Sequence, residues 1–93
     1  MKLPVKYHLL NSTKKKEVRE EYIKIQNGKC WFCLSDLRSE PPQIVTERPI
    51  NLKLFPPRFL SNPIHLQHDH QSGLTEGAVH AYCNAVLWQY YNR

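Results

Sequence analysis

Cys30-x-x-Cys33 and His80-Ala-Tyr-Cys83 are two ligand pairs, each with the spacing of one half of a tetrahedral zinc site. Together they make a Cys₃His set that uses all three cysteines of the chain. Such a set would fill every position of a tetrahedral ion, so the zinc would hold the fold and take no part in chemistry. A redox role for Cys30 and Cys33 is the alternative, along with inert buried thiols. A redox pair belongs in a strand-to-helix context, whereas here a helical pattern precedes the pair and a proline-rich stretch follows it.

The second cluster is Gln67-His68-Asp69-His70, with Asn84 sixteen residues beyond His68. An imidazole with an ordinary pKa near 6.5 is a suitable general base for water at neutral pH. An asparagine oxygen is a hard, neutral ligand of the kind magnesium accepts beside waters and phosphates. His65 alternates with Gln67 and reads as a solvated histidine. His70 sits at a turn, either orienting His68, meeting phosphate or simply facing solvent. Asp69 should point away from the site.

Elements must bring these residues together. Residues 1–10 read as an irregular or short extended arm docked by Leu9 and Leu10. Asn11-Ser12-Thr13 supplies capping side chains for a helix over about 14–26, with Val18, Tyr22 and Ile25 as its apolar stripe and Asn27-Gly28 as its stop. Between Ser39 and Asn62 five prolines bar any long helix. That stretch reads as a loop pinned by Leu54, Phe55 and Phe59, with residues 50–55 as a short extended piece. Ile64–His68 alternates with period two and predicts a strand. Gln71-Ser72-Gly73 and Glu76-Gly77 are turn signals, Ala78–His80 a returning strand, and Ala81–Tyr91 a helix. His68 at a strand end and Asn84 on a first helical turn can converge across such a hairpin. Trp88, Tyr90 and Tyr91 read as packing residues of that helix.

A chain of 93 residues has a thin core, since a small domain buries only about 60% of its unfolded surface; a metal staple answers that shortage. No segment approaches the roughly 20 apolar residues of a membrane span. Lys2, Lys6 and His8 interrupt the first ten residues, so no leader is expected, and a reducing, cytoplasmic setting suits thiolate ligands. Net charge is +5, and residues 1–29 hold eight Lys/Arg against Glu17, Glu20 and Glu21. That excess suits a polyanion such as nucleic acid. A solvated lysine-rich helix is the other reading. Lys14, Lys15 and Lys16 crowd the first helical turn against the macrodipole, which makes sense if a phosphate sits there. Arg48, Lys53 and Arg58 in the long loop read as solvated charges or phosphate contacts.

His68-Asp69-His70, Gly73 and His80-x-x-Cys83-Asn84, with Cys30-x-x-Cys33 upstream, resemble the HNH or ββα-metal (His-Me finger) nucleases, nearest to the phage recombination endonuclease VII branch. The motifs cover residues 30–33 and 64–88. The resemblance implies a small α+β fold of one domain over 1–93, with a basic arm and helix (1–29), a zinc knuckle and Pro-rich loop (30–62) and a ββα-metal unit (63–93). It implies a DNA endonuclease leaving 5′-phosphate and 3′-hydroxyl ends, with His68 as general base and Asn84 as ligand of a catalytic Mg²⁺ or Mn²⁺. Cys30, Cys33, His80 and Cys83 become structural zinc ligands, His80 standing where the group more often has cysteine. Gln67 stands where the family has Asp or His as second metal ligand, so the protein's share of that site is uncharged and the scissile phosphate must help hold the ion. Implied partners are DNA through Lys14–Lys16, no membrane, and a monomer or homodimer, in the host cytoplasm if the source is viral. A non-catalytic zinc module that binds nucleic acid is the alternative, and Gln67 is the feature that favours it.

Overall fold

A computed structural model describes residues 1–91. The order is helix α1 (Ser12–Ile25), a four-residue helix α2 (Gln43–Thr46), strands β1 (Ile64–His68) and β2 (Thr75–His80), then helix α3 (Ala81–Tyr91), with 3₁₀ turns at Tyr7–Leu9, Leu52–Leu54 and Phe59–Ser61. It is a small α+β fold on a two-stranded antiparallel sheet. No helix among the described residues is long and apolar enough to cross a membrane.

The first helix forms where its caps dictate. Asn11 Oδ1 accepts from Lys14 N at 2.8 Å, satisfying one of the donors that a helix start leaves free. At the other end Asn27 and Gly28 both take positive φ. Their amides donate back to Lys24 O (3.1 Å) and Ile23 O (2.8 Å), a Schellman closure. Val18 and Tyr22 are buried, whereas Ile25, expected on the same stripe, is exposed and Ile23 packs in its stead. The helix has turned away from the core by its last turn, where the chain must leave for Cys30.

β1 and β2 pair from Ile64↔His80 to His68↔Thr75, with an irregularity between Gln67 and His68. β2 begins at Thr75, earlier than the expected Ala78, because Gly77 lies within the strand and is no turn residue. A Cβ there would stand 2.7 Å from Gln26 Oε1 and 2.8 Å from Trp31 Cγ. Glycine is present so that other parts of the chain can approach the strand closely. Gln26 uses the space to behave as a peptide unit: its Oε1 accepts from Ala78 N (2.9 Å) and its Nε2 donates to Ala78 O (2.9 Å).

His80 passes directly into α3, whose first amide, Ala81 N, donates to Pro63 O at 2.9 Å. Ala81, Cys83, Ala85, Val86 and Leu87 are buried, so this helix packs on the sheet on one side and on the 39–62 loop on another. The loop is fastened differently from expectation. Leu54 is 47% exposed, and the 50–55 stretch closes into the 3₁₀ turn Leu52–Leu54 instead of an extended piece, with Asn51 Oδ1 accepting from Lys53 N. The ties are polar groups of α3. Tyr82 Oη donates to Thr46 O (3.1 Å) and Arg48 O. Gln89 Oε1 accepts from Asn51 N (2.9 Å), and Tyr90 Oη donates to Pro49 O. Phe55 does pack, against Phe59 and Trp88. Proline-rich backbone has few donors of its own, which leaves its carbonyls to be met by side chains.

Of the two leucines expected to dock the arm, Leu10 packs against the core, with Leu3, Val5 and Tyr7, while Leu9 is 83% exposed; the backbone adds further ties. Thr75 N donates to Val5 O, Tyr7 N donates to Gly73 O (both 2.9 Å), and Val5 N donates to Thr75 Oγ1. Gly77→Ala is expected to destabilise the fold by about 1–3 kcal/mol, the usual cost of overpacking, read as a melting temperature lowered by roughly 5 °C or more. An unchanged melting curve would mean that Trp31 and Gln26 do not press on β2 as described.

Candidate functional site

Two sites lie on opposite sides of the strand–helix junction. The first is the cysteine–histidine cluster. Residues 29–36 form a tight knuckle: Leu34, in a left-handed conformation, donates its N–H to Cys30 O (2.9 Å), and Cys30 N donates to Ser35 O (2.7 Å). That turn brings Cys30 and Cys33 together, while one turn of α3 joins His80 to Cys83. The ligand atoms of all four residues lie within 4.8 Å of one another. Cys30 and Cys83 are fully buried and His80 is 3% exposed.

His80 Nδ1 lies 3.4 Å from Cys33 Sγ and 3.7 Å from Cys83 Sγ. Zinc–sulfur and zinc–nitrogen bonds at the tetrahedral angle set such an edge at about 3.6 Å, so the group fits the ion. The far ring nitrogen, Nε2, donates to Asp36 O (2.9 Å) and Ser39 O (2.8 Å). Those carbonyls fix the tautomer and aim the Nδ1 lone pair at the thiols, the outer-shell support that metal-ligating histidines receive. Cys83 and the amides of Cys33, His80 and Phe32 hold the Cys30 thiol down to about 4 against the opposing effect of burial. Cys83, donating to that thiolate in a buried place, is pushed up. A redox assignment loses its context, because both pairs converge on one point.

The second site is a cleft of about 520 Å³ between the N-terminal half of α1, the 54–62 loop, β1 and α3. His68, Gln67 and Asn84 all line it, as do His65, His70, Tyr7, Lys15, Arg19 and Arg58. Of the three lysines expected to meet phosphate, only Lys15 is on its wall. Lys14 instead pairs with Glu17 at 3.2 Å, and Lys16 lies outside the lining. The helix presents one face to the cleft, so Lys15 and Arg19, four residues apart, share it.

His68 is held by rings. It stacks on Tyr7 with centroids 3.9 Å apart and planes 10° from parallel, and His70 and His8 meet it at 4.6 and 5.5 Å. Lys15 Nζ sits 4.2 Å above the opposite partner in that stack, Tyr7. Burial, then the charges of His70, His8 and Lys15, push the His68 pKa down to about 4, Asp69 opposing weakly. Its imidazole is therefore neutral across the physiological range, the form a general base must have. Asp69 does point elsewhere, accepting from Gln71 N and Ser72 Oγ in the turn.

His65 departs from expectation. It is half-buried, and its Nδ1 stands 3.0 Å from Asn84 Nδ2. Burial lowers its pKa, while backbone acceptors at Phe59 and Asn62 oppose that and Arg19 adds to it. Gln67 is 1% exposed, and its Nε2 donates to His68 O (2.9 Å) and Glu76 Oε1 (3.4 Å). No Asp or Glu among the described residues lines the cleft. Arg58, read as a solvated charge or a phosphate contact, is on the cleft wall, whereas Arg48 and Lys53 are not. Tyr7 and Arg19 were not anticipated; the spacing of Arg19 from Lys15 was a signal for the second, and nothing local marked the first. No family model, curated protein or solved structure matches the chain, so the motif residues alone carry the resemblance.

Two outcomes follow. Purified protein should hold one zinc per chain by elemental analysis, and removing it, or Cys30→Ser, should unfold the domain, since structural zinc binding is folding free energy in small domains. Unchanged melting after chelation would refute a structural ion. His68 should keep its neutral-form ring signals in nuclear magnetic resonance down to about pH 5, moving only near 4. The unfolded chain takes up that proton near 6.5 and the folded one does not, so His68 should lower stability as pH falls through this window. His68→Ala should remove that part of the slope.

Proposed function

We propose that this chain is a zinc-stapled, metal-dependent endonuclease of the HNH type that hydrolyses DNA phosphodiesters. The observation that carries the reading is the convergence of His68, Asn84 and Gln67 on one cleft walled by Lys15, Arg19 and Arg58. Gln67 and His68 come from β1 and Asn84 from the first turn of α3, with β2 and the Cys₃His group between them, the order that the ββα-metal motif requires.

His68 takes a proton from the attacking water. Its neutral state, and a ring plane fixed by Tyr7, suit it to accept in one direction. Asn84, with Gln67 beneath, offers amide oxygens to a divalent ion. When bound, Mg²⁺ or Mn²⁺ would supply Lewis-acid stabilisation of the charge developing on the phosphate and the leaving oxygen. Lys15, Arg19 and Arg58 hold backbone phosphates, contacts that position the duplex and carry no sequence information. Binding should therefore be tolerant of sequence and fall steeply with salt.

One observation favours a second reading, a nucleic-acid-binding module without catalysis. The amide nitrogen of Gln67 is engaged with His68 O and Glu76, as a purely structural glutamine would be. Supercoiled plasmid, titrated with MgCl₂ and MnCl₂, separates the two. Wild type should nick it, EDTA should stop the reaction, and His68→Ala should lower the rate at least about 100-fold, the low end of what a general base contributes. Folded, zinc-loaded wild type that binds the plasmid and leaves it intact would favour the second reading.

A further inference from the structure

On the nuclease reading the cleft must take a divalent ion, and its wall carries positive charge. Lys15, Arg19 and Arg58 line it, carboxylates among the described residues do not, and Gln67 brings only a neutral amide. An ion such as magnesium, which is usually held through one or two carboxylates together with phosphates and waters, finds no anionic protein ligand here. His65 supplies something else. It shares with Gln67 the face of β1 that lines the cleft, and Asn84 approaches from the first turn of α3.

The ring of His65 is fixed from behind. Phe59 meets it edge-on, with centroids 4.6 Å apart and planes at 82°. Backbone groups of Phe59 and Asn62 lie close enough to the imidazole to oppose the effect of its burial. Its Nδ1 faces the Asn84 side-chain amide, so an imidazole nitrogen and an amide meet at the cleft wall, two groups that can each give a lone pair to an ion. The 3.0 Å between His65 Nδ1 and the Asn84 amide is the edge of an octahedron with bonds of about 2.1 Å. Rotation of the Asn84 amide by half a turn places its oxygen at the same vertex.

We infer that His65 and Asn84 together form the protein's share of the divalent-ion site, and that an imidazole in that place gives the cleft a preference for Mn²⁺, Co²⁺ or Ni²⁺ over Mg²⁺. Imidazole suits borderline transition ions, and magnesium prefers oxygen. The inference rests on the cleft being an ion site, as the nuclease reading requires. It adds a ligand that lies outside the motif residues of the resemblance. It also gives the uncharged Gln67 a reason, because the ion need not depend on that position.

The test reads metal binding directly. MnCl₂ is titrated into zinc-loaded protein while electron paramagnetic resonance counts the free ion, with MgCl₂ as competitor. Wild type should bind one Mn²⁺ per chain, and Mg²⁺ should displace it only in large excess. His65→Ala should weaken Mn²⁺ binding about tenfold or more and narrow the preference over Mg²⁺. His70→Ala should do neither. Since His65→Ala also removes a contact between β1 and α3 and could unfold the chain, unaltered protein provides a second measurement. A small fraction of an equivalent of Mn²⁺ should broaden the ring signals of His65 and the side-chain amide of Asn84 before those of His70 or His8. Equal Mn²⁺ affinity in folded His65→Ala, or broadening centred on His70, would overturn the inference, as would wild type that binds no Mn²⁺. If plasmid nicking still depended on His68 in that case, the nuclease reading would survive without it. Mn²⁺ held through His65 by a protein that cuts no DNA would uphold the inference and end the nuclease reading.

Discussion

Four ligand atoms from two distant parts of the chain meet at the centre of this protein, and no apolar contact can stand in for them. Cys30 and Cys83 are among its largest fully buried side chains, so the middle of the core consists of groups that want a cation. The knuckle carrying Cys30 and Cys33 is also tied by hydrogen bonds: Trp31 N and Leu37 N donate to Ala78 O and Gly28 O, and Asp36 O accepts from His80 Nε2. Everything downstream depends on that closure. It sets the knuckle against β2, which places Trp31 beside Gly77, and it fixes His80 at the junction from which α3 departs. The direction of α3 then decides where Asn84 points.

The two sites divide the chemistry of one junction between its two faces. On one, Cys30, Cys83 and His80 are buried around a common point. On the other, cationic side chains and imidazoles line an open cleft, and acidic residues close by in sequence are turned aside. Asp69 is absorbed by its turn and Glu76 faces Gln67. Such a cleft repels a bare cation and attracts phosphate. An ion and a polyanion would then reach it more favourably together than either alone, because each neutralises what the other finds repulsive. The lowered pKa of His68 follows first from its burial and then from the same surroundings, where Lys15, His8 and His70 disfavour a protonated ring.

Much of this was legible where chemistry is local. Asn11 and Asn27-Gly28 bound α1 through their own hydrogen bonds. The period-two run from Ile64 gave β1, and two-residue gaps gave the Cys₃His set. Legibility failed where distant segments meet. Gly77 looks like a turn residue unless one knows that Trp31 and Gln26 press against it. Tyr7 carries no sign that it will lie flat on His68, sixty-one residues later. His65 is indistinguishable in sequence from a solvated histidine, and only the meeting of β1 with α3 hands it to Asn84. Leu9 and Ile25 show the converse, apolar residues whose local pattern pointed inward while the backbone left them outside.

The outer edge of β2 has a consequence beyond the sites. A two-stranded sheet offers unpaired backbone on its flanks, an invitation to pair with another chain. Here the invitation is withdrawn on that flank, position by position. Thr75 N is bonded to Val5 O, and Trp31 N and the Gln26 amide occupy Ala78. His80 N faces the Cys30 sulfur. The parts that bring the Cys₃His residues together and pack on His68 therefore also cover this edge. A knuckle released from this edge would leave strand backbone free to pair with another chain, so whatever holds the Cys₃His residues together also keeps that edge closed.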